Sequence, residues 1–229
     1  MKRLLVALVA ALAVVAAAAK PVGATNECHG IQECIRVPGP WVVVPAHGTA
    51  DYLLSCPQGK SVVGGLDAQV TSRAVHVTFD GDLGAPVQPG VTTTTSAFFH
   101  AVSTSGRAQA FQPLLGCIPT QGGGGRATVA LRVSPPGPNL DLHARIVVVG
   151  PGTVKFTRIG CPANEALVGA WHAVAFRTTK PPPVAVWRLV GANHHIVGKK
   201  VVVTASATDA LSPDANAIVQ AGVECAPTA

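Results

Sequence analysis

Tyr52-Leu53-Leu54-Ser55-Cys56-Pro57-Gln58-Gly59-Lys60-Ser61-Val62-Val63-Gly64-Gly65 decides the fold of this chain, because it is written twice. Its echo is Phe156-Thr157-Arg158-Ile159-Gly160-Cys161-Pro162-Ala163-Asn164-Glu165-Ala166-Leu167-Val168-Gly169-Ala170. Each copy reads as an apolar strand, Cys-Pro, a short polar turn, and a second strand that reaches Gly. Each also has a downstream partner, Cys117-Ile118-Pro119 and Cys225-Ala226-Pro227.

The repeat extends outward from these sites. Trp41-Val42-Val43-Val44 matches Ile146-Val147-Val148-Val149 at the Cys-Pro spacing of 105 residues (161 − 56). Val75-His76-Val77 aligns with Val184-Ala185-Val186, Leu66 with Trp171, and Asp67 with His172. Ala110–Cys117 matches Ile218–Cys225 at an offset of 108 (225 − 117), so a few residues are inserted between the blocks. Equivalent cysteines should meet equivalent partners, which predicts Cys56–Cys117 and Cys161–Cys225 and leaves Cys28–Cys34 as a small N-terminal loop. A bond closing about 60 residues stabilises by roughly 4 kcal/mol in the chain-entropy account.

The local pattern is strand throughout. Val75, Val77 and Phe79 alternate with His76, Thr78 and Asp80, and period two marks a half-buried strand. In the closing strand Val219, Ala221, Val223 and Cys225 share one face, with Gln220 and Glu224 on the other. The same parity in the first unit puts Phe111, Leu115 and Cys117 inward and Gln112 outward. The prolines after the cysteines stand near strand ends, where a missing amide hydrogen costs least. No segment combines helical periodicity with caps. The expected fold is all-β, with two tandem homologous β-sandwich-like units of about six strands each and one core disulfide per unit. The expected boundaries are a signal peptide at 1–24, a first β unit with its Cys loop at 25–120, a Gly-rich linker at 121–127 and a second β unit at 128–229.

A two-cysteine β unit of about this size resembles immunoglobulin-like domains, which implies a sandwich. That family carries a Trp after the first Cys and a Tyr two residues before the second. Here the pre-cysteine positions are Leu115 and Val223, and the first unit has no Trp after Cys56, so the resemblance extends to architecture and not to those hallmarks. The string Cys56-Pro57-x-Gly59-x-x-Val62-Val63-Gly64-Gly65 is similar to repeats in uncharacterised secreted bacterial proteins, which implies no activity.

Compartment follows from the N-terminus. Met1-Lys2-Arg3 precedes an unbroken apolar run of 16 residues, Leu4 to Ala19. That is short of the roughly 20 residues a spanning helix needs and fits an export signal cleaved after Ala24. Six cysteines, an even count, suit an oxidising compartment, so the expected localisation is secreted or extracellular, with no membrane span after cleavage. After cleavage, 14 basic residues stand against 11 acidic, a net +3, and Lys199-Lys200 is the one adjacent basic pair in that region. This is too little for a nucleic-acid stripe, and no nucleic-acid partner is expected. An alanine- and valine-rich composition, with more arginine than lysine, suits a bacterial source.

Few motifs carry chemistry. Gly122–Gly125 lacks the Lys-Ser or Lys-Thr and the helix of a phosphate loop. Asp80-Gly81-Asp82 has no later bidentate Glu for calcium and reads as a turn. No Gly-x-Ser-x-Gly and no free cysteine offers a nucleophile. No metal and no cofactor is expected. The binding candidates are Trp187 and His172, both placed on outward faces, together with the loop histidines His194 and His195; the alternative for Trp187 is that the other unit covers it, since two-unit packing needs an apolar patch. The expected function is non-catalytic binding, of a surface glycan or protein, or a structural role in the envelope. The alternatives are an extracellular hydrolase with a site between the units and a protease inhibitor presenting Thr179-Lys180-Pro181-Pro182-Pro183. The sequence leaves the oligomeric state open.

Overall fold

The structure is a computed structural model that describes residues 35–57, 61–80, 82–83, 95–119, 131–132 and 140–228. The expected signal segment, the expected Cys28–Cys34 loop and the expected Gly-rich linker lie outside the described residues. The strands of the first half are β1 (Ile35–Pro38), β2 (Trp41–Val44), β3 (Thr49–Ser55), β4 (Ser61–Val70), β5 (Val75–Asp80), β6 (Asp82–Leu83), β7 (Ser96–Ser103) and β8 (Gln109–Pro119). Those of the second are β9 (Leu131–Arg132), β10 (Asp141–Val148), β11 (Val154–Gly160), β12 (Glu165–Phe176), β13 (Val190–Val197), β14 (Lys200–Ala207) and β15 (Ala217–Pro227). One helical turn, α1 (Val184–Trp187), lies between β12 and β13. Among the described residues no helix is long and apolar enough to cross a membrane.

The fold is all-β and contains two β units. Each carries one disulfide, Cys56–Cys117 in the first and Cys161–Cys225 in the second. Each unit sets a three-stranded sheet, β3-β7-β5 or β11-β14-β13, against a second set of antiparallel strands. Those second sets merge. The order β1-β8-β2-β12-β15-β10, with β4 also on β8, is one seven-stranded sheet running through both units. The units join where Val42 meets Ala175 and Trp41 meets Phe176.

The shared sheet is buried on both faces near this seam. On β2, Val42 and Val44 enter the first core and Trp41 the second. On β12, Ala173 and Ala175 enter the first and Phe176 the second. Ala110 and Phe111 of β8, and Ile218 and Val219 of β15, divide in the same way. Neighbours along a strand point to opposite faces. The two small sheets therefore lie on opposite sides of the shared sheet. This overturns one expectation: Gln112 and Gln220 are not on a solvent face but are buried, at 8% and 2% exposure.

Two further expectations fail through insertions. The bulge at Val63/Gly65 recurs at Leu167/Gly169, with Gly65 opposite Gly116 and Gly169 opposite Glu224. Gly116 and Glu224 each directly precede the second cysteine of their unit's disulfide, so Gly169 takes the place in its unit that Gly65 takes in the first. Hence Trp171 replaces Asp67, not Leu66, and His172 replaces Ala68. A one-residue slip exchanges the faces of a strand. Trp171 is buried as expected, but on the face turned towards the first unit's small sheet, where its ring meets Phe98 at 4.9 Å. Gly222 opposite makes room, since a Cβ there would lie 2.0 Å from the indole. The second slip is larger. Residues 71–74 link β4 to β5, whereas residues 177–189 link β12 to β13, so β13 is the counterpart of β5. Val184–Trp187 is a helical turn on that insertion and not the strand that an alignment with Val75–Val77 requires.

Candidate functional site

Trp187 is buried, at 7% exposure, rather than outward. Three prolines, Pro181 to Pro183, lead the insertion into α1, and a proline suits the start of a helix because its missing N–H would go unused there. The turn carries Trp187 inward to one apolar cluster with Trp41 and Ala110 of the first unit. The indole Nε1 of both tryptophans is buried without a hydrogen-bond partner among the described residues. Trp187 is thus part of the joint between units.

The insertion also brings α1 against the first unit. A cleft of about 690 Å³ lies between them, lined by Ala46, Gly106, Arg107, Ala108 and Gln109 of the first unit and Val184 and Arg188 of the second. Its volume suits a small ligand, for which clefts span roughly 300–1,000 Å³. Gln109 is fixed, since its Nε2 donates to Ser105 Oγ at 3.1 Å and its Oε1 accepts from Thr71 Oγ1 at 3.1 Å. Both arginines are exposed. Among the described residues neither forms an ion pair, the pairs there being His100–Asp51 and His143–Glu165. The sequence marks none of these residues as functional. Their one visible signal is the long, proline-rich insertion that the first unit lacks.

His172 and His194 meet. Their Nδ1 atoms are 2.7 Å apart, with ring centroids at 4.9 Å and planes at 66°. One nitrogen must carry a proton and the other a lone pair, so the contact holds a single proton. Burial pushes the His172 pKa down, His194 pushes it further, and the Ala192 backbone opposes both. The outward placement expected of His172 is corrected to half-buried, on the face turned towards β13. His195 lies on the opposite face of β13 from His194. It shares the open side of the small sheet with Val202 and Arg158, one row from Asn193, Thr204 and Phe156. Phe156 is 71% exposed there. The four expected binding residues therefore scatter to a buried joint, a cross-layer pair and an open sheet face.

A second polar cluster lies between the units, also unmarked by the sequence. His100 Nδ1 sits 2.5 Å from Asp51 Oδ1. Both belong to the first unit's small sheet, and Glu224 of β15 feels their charges. Burial raises the Glu224 pKa, the Asp51 carboxylate raises it further, and His100 lowers it.

Ligand atoms of His143, Glu165 and Cys225 lie within 4.8 Å of one another, but the Cys225 sulfur is committed to a disulfide and is no thiolate donor. Lys180 is exposed in its loop, where Thr178 Oγ1 donates to the Lys180 carbonyl at 2.7 Å. The fold and these sites define a disulfide-bonded, two-unit all-β protein. No family model, curated protein or solved structure matches the chain.

Proposed function

We propose that this is an exported, non-catalytic binding protein whose ligand occupies the cleft between Arg107 and Arg188. The observation that carries this is the joint construction of the cleft. The first unit supplies a tight loop and the second supplies an insertion that its own repeat partner lacks. A site appears where the copies differ, over a seam already rigid through a shared sheet and a tryptophan joint. Export is supported by the N-terminal charge and apolar run, and by two disulfides that bridge the cores. None of the seven lining residues carries a carboxylate, imidazole, hydroxyl or thiol side chain, so the lining offers recognition groups rather than an acid, base or nucleophile.

Screening the purified protein on arrays of glycans and envelope peptides tests this proposal. Val184 is exposed at the cleft, so Val184→Trp fills it without entering a core. Ligands retained by the wild type and lost by this variant support the proposal, and undiminished capture by the variant defeats it.

A second proposal is a hydrolase, favoured by Asp51, His100 and Glu224. A carboxylate holding an imidazole beside a carboxyl whose pKa is raised is an acid–base pairing. Turnover of a chromogenic ester or glycoside panel, lost in Asp51→Asn, would favour hydrolysis over binding.

A further inference from the structure

We infer that the group this cleft recognises is an oxyanion, a carboxylate, sulfate or phosphate on a small ligand, held between Arg107 of the first unit and Arg188 of the second. The inference rests on the cleft being the binding site. A guanidinium stays charged throughout the physiological range and presents five donors in a planar fork that matches such groups. Two arginines from different units line one cleft, and among the described residues no carboxylate pairs with either of them. A ligand anion supplies the missing charge.

The rest of the lining fits this ligand. Gln109 has its amide nitrogen and oxygen both engaged, so the charged donors at the cleft are the two arginines. Ala46, Ala108 and Val184 make the remaining wall apolar, and a partly desolvated anion is held more strongly beside them than in open water. The surroundings have the same sign. The insertion at 177–189 carries Arg177, Lys180 and Arg188 and no acidic residue, which raises the local concentration of anions near its tip. An acidic sugar suits the mixture of cationic and apolar walls better than a bare ion.

The test uses the purified full-length mature protein and four probes: an oligogalacturonate, its carboxyl-reduced neutral counterpart, a sulfated oligosaccharide of similar length, and inorganic phosphate. Binding is followed by calorimetry and by tryptophan fluorescence, since Trp187 immediately precedes Arg188. At least one anionic probe is expected to bind, with the neutral counterpart about tenfold weaker or more, as befits loss of a charge-assisted pair. Arg107→Gln and Arg188→Gln should each weaken binding by a similar factor. Both side chains are exposed, so the variants keep the fold. Lys199→Gln at the β13–β14 turn should bind as the wild type. Binding of phosphate alone would assign the site to free oxyanions, and binding of the uronate or sulfated probe would assign it to acidic saccharides. Failure of every anionic probe, or wild-type binding by both arginine variants, overturns the inference. Equal binding of the charged and neutral oligosaccharides, abolished by Val184→Trp, overturns the oxyanion while leaving the cleft as the binding site.

Discussion

Gln220 of β15 satisfies both backbone groups of Leu53 in β3: its Oε1 accepts from the Leu53 N–H at 2.8 Å, and its Nε2 donates to the Leu53 carbonyl at 2.9 Å. β3 is an end strand of its small sheet, so groups on its free side lack a ladder partner. One side-chain amide from the second unit thus stands in for a strand. The same Oε1 accepts from Trp171 Nε1 at 3.3 Å. Gln112, which like Gln220 stands five residues before its unit's closing cysteine, instead donates to Gly39 within its own unit, at 2.9 Å. The two glutamines serve different contacts, one within a unit and one across the seam.

Gln220→Ala removes these bonds and leaves the Trp171 N–H buried without an acceptor. A buried group deprived of its partner costs about 1–3 kcal/mol, and several are affected here, so the loss should reach the upper part of that range. Urea unfolding of Gln220→Ala against Gln112→Ala measures it. Equal midpoints for the two variants would show that the contact with Leu53 adds nothing to the joint.

Glu224→Gln should raise thermal stability at neutral pH. The folded state holds this carboxyl above its usual value of 4.5, chiefly by burial and then by Asp51. A raised carboxyl pKa means that ionisation disfavours the fold, so its cost is complete above the folded pKa and vanishes below 4.5. The gain from Glu224→Gln should therefore shrink as pH falls through that window. A constant difference between variant and wild type from neutral pH into acid would refute the assignment.

Much of this architecture is legible in the sequence because two stretches of similar pattern constrain it twice. Cys56 and Cys161 each have a partner at nearly the same distance, and the alternation of Val219, Ala221 and Val223 with Gln220 and Glu224 assigns the faces correctly. What alternation does not reveal is what covers the second face. A polar residue opposite an apolar row reads as solvent-exposed, yet Gln220 is buried because another unit lies against it. Trp187 and Trp171 depart from the sequence alignment for a related reason. Each follows a change in length, and in a strand one residue is enough to turn a side chain to the other layer. Arg107 and Arg188 are 81 residues apart (188 − 107) and carry no motif, so only the packing of the units shows that they line one cleft.

The His172–His194 contact should make stability fall on acidification. The folded pKa of His172 lies below its usual 6.5, by burial first and then by His194. Above 6.5 the ring is neutral in both states and the contribution is intact; as pH falls through 6.5 towards the folded pKa, the unfolded chain takes up the proton first and stability is lost. His172→Gln should flatten this part of the profile. Melting temperatures for both proteins across that range provide the measurement, and parallel curves would show that the pair is not the sensor.

Tyr52 gives the cleanest titration in the molecule, since it is the one tyrosine in the chain. It is 2% exposed and packs in the first core, below the joint with β12. Burial raises its hydroxyl pKa from 10.0 to about 12, against a smaller opposing effect of Arg177. Tyrosinate absorbance should therefore stay low while the pH rises past 10 and appear only near 12, whereas the urea-unfolded chain should titrate at its ordinary value of 10.0. The corresponding stability is intact below 10 and is lost as pH climbs towards 12, because the unfolded chain releases its proton first. Tyr52→Phe should remove this alkaline loss. Arg177→Gln, which takes away the neighbouring positive charge, should delay the absorbance further. Tyrosinate appearing at 10.0 in the folded protein would place Tyr52 in contact with solvent and contradict the packing of the first core.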